Sequence, residues 1–108
     1  MAREKFHTLT EQMFYILLCL RCECYGMDIM EKIRIMTDGR VSVGPGTLYN
    51  LLESFVKAGM ICETKVEGRR RSYLITDLGV MALKSEYERL ATLTTDYKQY
   101  MMDGGGEL

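Results

Sequence analysis

The sequence predicts a mainly α domain with a small β-hairpin, a winged helix-turn-helix extended by a long C-terminal dimerisation helix. Two observations carry that expectation. Residues 43–79 read in order as an amphipathic helix, a strand, a tight turn, an arginine-led strand and a helix start. Two helical segments precede this stretch and a long heptad-like segment follows it. At 108 residues the chain is one domain with a modest core, a size that often gains stability by pairing with a second copy.

The elements follow from local signals. Thr10 is a good N-cap, and Glu11 and Gln12 suit a first turn, so helix one is expected from Thr10 to about Arg21. Met13, Phe14, Tyr15, Ile16, Leu17, Leu18 and Leu20 make it apolar nearly all round, which implies burial on more than one side. Tyr25-Gly26 marks a break. Helix two is expected over about Met27 to Met36, with Ile29, Met30, Ile33 and Met36 on one face. Thr37-Asp38-Gly39 ends it, and Val41-Ser42-Val43 is extended.

Helix three starts at Gly44-Pro45, because a proline in the first turn lacks only an N–H that has no partner there. Leu48, Leu51, Leu52 and Phe55 fall on one side. Asn50, Glu53, Ser54 and Lys57 fall opposite, with Thr47 beside them. Gly59 stops the helix. Ile61 to Val66 reads as a strand, Glu67-Gly68 as a turn, and Arg69-Arg70-Arg71 as the start of a second strand through Ile75. Thr76 caps the last helix. There Val80, Leu83, Tyr87, Leu90, Thr94, Tyr97 and Met101 follow a 3-4 spacing that predicts a seam against another helix. The expected organisation is a DNA-binding domain over 1–79, a dimerisation helix over 80–103 and a disordered tail over 104–108.

Charge is distributed unevenly although the formal total is −1. Residues 57–71 carry Lys57, Lys65, Arg69, Arg70 and Arg71 against Glu63 and Glu67, five minus two, or +3. Residues 76–108 carry three cations against six carboxylates, or −3. Positive charge is focused on the hairpin, and local potential decides what a groove-sized surface attracts. No apolar run approaches the ~20 residues of a membrane span. The first residues do not lead into a signal-peptide core. A cytoplasmic protein is expected.

The candidate DNA contacts are Gly46, Thr47, Tyr49, Asn50, Ser54 and Lys57 on helix three, with Lys65, Arg69, Arg70 and Arg71 on the hairpin. Asn pairs bidentately with adenine, and a Thr methyl meets a thymine methyl. Gly46 would let a first-turn N–H approach a phosphate, and the arginines supply phosphate contacts. Three consecutive strand residues alternate faces, so not all three arginines are expected to face DNA. The competing reading is an ordinary polar helix face and a solvated hairpin tip, or a wing that binds an acidic protein partner. Phe14, Val80, Leu83, Tyr87, Leu90, Thr94, Tyr97 and Met101 are the candidate dimer interface. Phe14, Tyr15, Tyr87 and Tyr97, together with Tyr100, are rings that would line an inter-subunit pocket for a flat or cationic ligand, or serve as plain packing.

Cys19, Cys22 and Cys24, with distant Cys62, have poor spacing for a zinc site, so buried free thiols are the favoured reading over a metal or redox sensor. His7 is the only histidine and has no recognisable triad partner. No phosphate-binding glycine loop or paired catalytic carboxylates occur. Neither an enzyme nor a cofactor is expected.

With these residues in view, the chain resembles the PadR family of bacterial transcriptional regulators in its short form, over about Leu9 to Met102. Leu9-Thr10-Glu11 with Phe14 to Leu18 resembles the family's first helix. Gly44 to Tyr49 resembles the start of its recognition helix, Gly59-Met60-Ile61 the exit from it, and Gly68 to Tyr73 its wing. Leu74 to Gly79 resembles the approach to its last helix. Tyr25-Gly26-Met27 replaces a frequent histidine-glycine-tyrosine run, and Asn50 replaces a frequent proline. The resemblance implies a homodimeric winged-helix regulator, usually a repressor, on a pseudo-palindromic duplex operator. It also implies that an aromatic or cationic effector held between subunits can release the DNA.

Overall fold

The computed structural model describes residues 8–102. His7 and the tail 104–108 lie outside the described residues. Helix α1 spans Glu11–Cys19, and the Thr10 hydroxyl accepts from the Met13 N–H at 3.2 Å, as the capping residue predicts. The helix ends earlier than Arg21. The Leu20 N–H is shared between the Ile16 and Leu17 carbonyls, and the Arg21 guanidinium donates to the Leu18 carbonyl at 2.9 Å, which closes the last turn.

The sheet has three strands rather than the expected two. Strand β1, Cys24–Tyr25, pairs antiparallel with the second hairpin strand, Cys24 opposite Tyr73 and Tyr25 opposite Ser72. Two residues are too few to show a periodicity, so only the tertiary pairing reveals it. Helix α2, Gly26–Met36, follows directly. Ile29 and Ile33 are buried and Met30 is half-buried, but Met36 is 40% exposed, against the expectation for that face.

The link to the next helix is built around Thr37. Its hydroxyl donates to the Ile33 carbonyl at 2.8 Å and accepts from the Val41 N–H at 3.1 Å. Asp38 and Gly39 both have positive φ, 53° and 77°, so the chain reverses here in the left-handed region. Arg40 ties this link to α1, reaching Glu11 at 2.6 Å and the Tyr15 hydroxyl at 2.9 Å. The link therefore fixes where the next helix starts.

Helix α3 spans Pro45–Lys57 with Pro45 in its first turn, and Gly59 at φ 77° follows the Ala58 cap. Leu48, Leu52 and Phe55 are buried in the core with Ile16, Leu17, Leu20, Ile29 and Ile33. Strands β2, Ile61–Glu67, and β3, Arg70–Ile75, form the hairpin, with β3 central in the order β1-β3-β2. Gly68, at φ 63°, and Arg69 make the turn, so Arg69 is not a strand residue. The register slips between Glu63 and Lys65, a bulge the sequence did not announce.

Helix α4, Asp77–Tyr97, begins where the Thr76 hydroxyl accepts from Gly79 N–H and donates to the Gly59 carbonyl at 2.6 Å. Its first half packs on the core through Leu78, Ala82 and Leu83. Residues 87–102 are all exposed, and the described residues extend 59 Å along their longest axis. A π-type segment, Lys98–Met102, replaces the α register at the end, so Met101 does not continue the α-helical seam its spacing predicts.

Candidate nucleic-acid interface

The outer face of α3 presents Gly46, Thr47, Tyr49, Asn50 and Lys57, all exposed, with Ser54 half-buried. This is the consequence of an amphipathic helix packing Leu48, Leu52 and Phe55 inward. Gly46 is open: a Cβ added there would meet nothing within 4 Å. Lys57 lies 4.0 Å from Glu53 one turn back, an exposed pair worth little in water.

The hairpin cations differ in what holds them. Arg71 pairs with Glu63 at 3.0 Å across the strands. Arg70 lies over the Tyr25 ring at 4.2 Å, while the Tyr25 hydroxyl donates to Glu67 at 2.8 Å. That hydrogen bond from the phenol to a carboxylate holds the Tyr25 pKa above its ordinary value. Lys65, on β2, faces Glu23, just before β1, at 4.0 Å. Arg69 makes no ion pair among the described residues. Two glutamates and a tyrosine thus orient Arg70 and Arg71 from behind, and Arg69 stands clear at the turn.

All three arginines nevertheless border one cleft of about 270 Å³, together with Gly26, Met27, Tyr49 and Tyr73. Arg69 sits in the turn and is outside the strand alternation, but Arg70 and Arg71 are consecutive residues of β3 and both border the cleft. The cleft brings the wing, the recognition helix and the start of α2 together, and Lys65 is not part of it. Tyr73 and the Gly26–Met27 corner were not singled out from the sequence. The first reads in sequence only as a residue of the wing strand, and the second only as the break before helix two.

The seam residues are placed differently. Val80, Tyr87, Leu90, Thr94, Tyr97 and Met101 are exposed, whereas Leu83 is half-buried against the domain's own core. Phe14 and Tyr15 meet edge to face at 5.6 Å and pack partly against that core.

All four cysteines are free. Cys19 and Cys24 are buried, but Cys22 and Cys62 are exposed, which corrects the expectation of four buried thiols. Among the described residues no group of three or more ligating side chains is placed to hold a metal. No helix among the described residues is long and apolar enough to cross a membrane.

Three helices, a wing and a cationic cleft beside the third helix define the winged-helix class of transcriptional regulators. The sequence profile of the transcriptional regulator PadR-like family matches residues 16–85, and the chain belongs to that family. A transcriptional regulator from Clostridium thermocellum, Cth-833, is 26% identical over 84% of this chain and 92% of its own, with a TM-score of 0.71. The PadR family transcriptional regulator from Eggerthella lenta shares the fold at 20% identity, covering 83% of this chain and 80% of its own, with a TM-score of 0.70. RosR of H. salinarum does so at 22% identity, covering 86% and 96%, with a TM-score of 0.61. No functionally curated protein is significantly similar to the chain.

Proposed function

We propose that this chain is a homodimeric, cytoplasmic repressor that reads a pseudo-palindromic duplex operator. The observation that carries the reading is the single cleft in which three arginines and Tyr49 converge beside the open polar face of α3. In this arrangement α3 enters a major groove, with Thr47, Asn50 and Ser54 toward base edges, and the wing grips the flanking backbone.

The partner copy is argued from α4. Tyr87 is 64% exposed and Tyr97 59%, on a helix whose second half is exposed throughout its described residues. A second copy laid along this face buries those rings and sets the distance between two recognition helices, about one DNA turn for adjacent half-sites. An aromatic or cationic effector between the subunits, near Phe14, Tyr15, Tyr87 and Tyr97, would change the angle of the α4 arms and so release the operator.

The test is titration against upstream fragments of the source genome at several salt concentrations. Tight, salt-steep retention of a few palindromic fragments is expected. Salt-independent or indiscriminate binding refutes the reading and favours a winged-helix adaptor for an acidic protein. Normal dimerisation and operator binding by a chain truncated before Leu83 refutes the role given to α4.

A further inference from the structure

A second open cleft, of about 310 Å³, lies where the end of α1 meets α2. It is lined by Cys19, Arg21, Cys22, Lys32, Ile35 and Met36, with no residue from α3 or the hairpin. Two thiols share it in different states. Cys19 ends α1 and is 5% exposed, whereas Cys22 is exposed. Leu20 and Arg21 form the turn between them. A turn of this length brings its end Cα atoms within ~7 Å, and disulfides span Cα separations of ~4.4–6.8 Å, so a bridge asks for little backbone movement. The other two thiols are placed otherwise. Cys24 is buried and donates to the Tyr25 carbonyl at 3.4 Å, and exposed Cys62 lies on β2, outside this cleft.

The charge around the pair is one-sided. Arg21 and Lys32 are exposed cations, and no carboxylate lines the cleft. Burial, with Cys24 nearby, pushes the Cys19 thiol up to about 11, although Lys32 and Arg21 both act through space to lower it. Both cations therefore stand close to the sulfur. Cys19 keeps its proton at neutral pH, and the exposed Cys22 is the thiol open to attack a partner in solution. Ile35 and Met36 give the cleft an apolar side, exposed at 65% and 40%.

We propose that this cleft is a thiol-exchange site for the disulfide of a small, carboxylate-bearing thiol, with Arg21 and Lys32 drawing in the carboxylates, Cys22 attacking and Cys19 resolving. The Cys22 thiolate attacks one sulfur of the small disulfide R–S–S–R. A Cys22–S–S–R bond forms, the R–S–S–R bond breaks, and RS⁻ leaves with the electron pair and takes up the proton that Cys22 gave up. Cys19 then loses its proton and attacks the Cys22 sulfur. The second RS⁻ leaves and is protonated in turn, and a Cys19–Cys22 disulfide remains. The small disulfide is the oxidant: both protein thiols are oxidised and both halves of R–S–S–R leave as RSH. This chemistry is independent of what α3 and the wing bind.

The test treats the reduced full chain with glutathione disulfide, an anion, and in parallel with cystamine, a cationic disulfide. Peptide mapping by mass spectrometry follows each thiol, with Cys62 as the exposed reference. In the wild type the expected end product with glutathione disulfide is the Cys19–Cys22 bridge. Cys19→Ala should stop at the mixed disulfide on Cys22. Arg21→Gln combined with Lys32→Gln should slow the reaction of Cys22 with glutathione disulfide about tenfold or more, as for a charged partner that a cleft of opposite sign no longer attracts. The same variant should not slow cystamine, and Cys62 should react as before. On the wild type itself, added salt should slow glutathione disulfide at Cys22 and not cystamine.

Equal rates at Cys22 in the wild type and the charge variant, or a wild-type rate that salt leaves unchanged, overturn recognition by the two cations. A mixed disulfide that persists on Cys22 in the wild type, with no bridge to Cys19, overturns the exchange. Neither result bears on operator binding, which is measured separately.

Discussion

Gly79→Ala should unfold this protein far below its normal melting temperature, although alanine is the better helix former. Gly79 is buried in the first turn of α4, where that helix lies against Met60 and Ile75. A Cβ at this position would overlap the Met60 carbonyl oxygen and stand 2.6 Å from Ile75 Cγ1 and 3.2 Å from Ile75 Cδ1. Carbon atoms in good contact are ~3.5–4.0 Å apart, so α4 would have to retreat by about 1 Å. That retreat pulls Thr76 away from the Gly59 carbonyl, held at 2.6 Å, and from the Met60 carbonyl, held at 3.0 Å. Overpacking of this kind costs ~1–3 kcal/mol and occasionally more. The Gly-to-Ala gain in helix propensity returns at most ~1 kcal/mol. With two capping hydrogen bonds strained as well, the net loss should be about 2–3 kcal/mol, out of a total of ~5–15 kcal/mol. For a domain of this size that lowers the melting temperature by about 10–20 °C. Gly46→Ala is the control, since a Cβ there meets nothing within 4 Å, and it should be neutral or stabilising by about 0.4–1 kcal/mol. Thermal unfolding followed by circular dichroism reads both. A Gly79→Ala protein that melts at or above the wild type would show that α4 is not seated as described.

Three further outcomes follow from buried groups. Thr37→Val keeps the shape of Thr37 but strands the Val41 N–H, which now bonds the threonine hydroxyl at 3.1 Å; a loss of ~1–3 kcal/mol in urea unfolding is expected, and no loss would refute the role of Thr37 in the α2–α3 link. Glu86, only 4% exposed, accepts from the Leu9 N–H at 3.2 Å and pairs with Arg89, so Glu86→Leu should speed hydrogen exchange at the Leu9 amide about tenfold or more, and unchanged protection would refute the anchoring. Burial pushes the Cys19 thiol up from 9.0 to about 11. The folded state keeps this proton where the unfolded chain releases it, so the stabilisation is full below pH 9 and is lost as pH rises through about 11. Cys24, Tyr25 and Tyr73 shift the same way, so the measurement is the difference between wild type and Cys19→Ala. That difference should shrink by about 2 kcal/mol between pH 8 and 11, and a pH-independent difference would refute it.

What the sequence determined by itself is whatever depends on a few neighbouring residues. Thr10 and Thr76 cap their helices because a hydroxyl three residues upstream can reach an orphan N–H. Pro45 opens α3 and Gly59 closes it through fixed or permitted φ values. The spacing of Leu48, Leu52 and Phe55 selects the inward face of α3, and so also the outward one. The helix-wing-helix order and the family follow from these local signals together.

Tertiary structure alone decided the rest, because it depends on pairs far apart in the chain. Strand β1 exists only because β3 lies beside it, forty-odd residues later. Glu86 became a buried anchor through a contact with Leu9 across 77 residues, although its position on α4 reads as ordinary surface charge. The wing arginines acquired different states from partners no motif names: Tyr25 under Arg70 and Glu63 beside Arg71, with no ion pair to Arg69 among the described residues. In sequence Tyr73 reads only as a residue of the wing strand. Its ring is buried in the core, yet the residue also lines the cleft where α2, α3 and the wing converge.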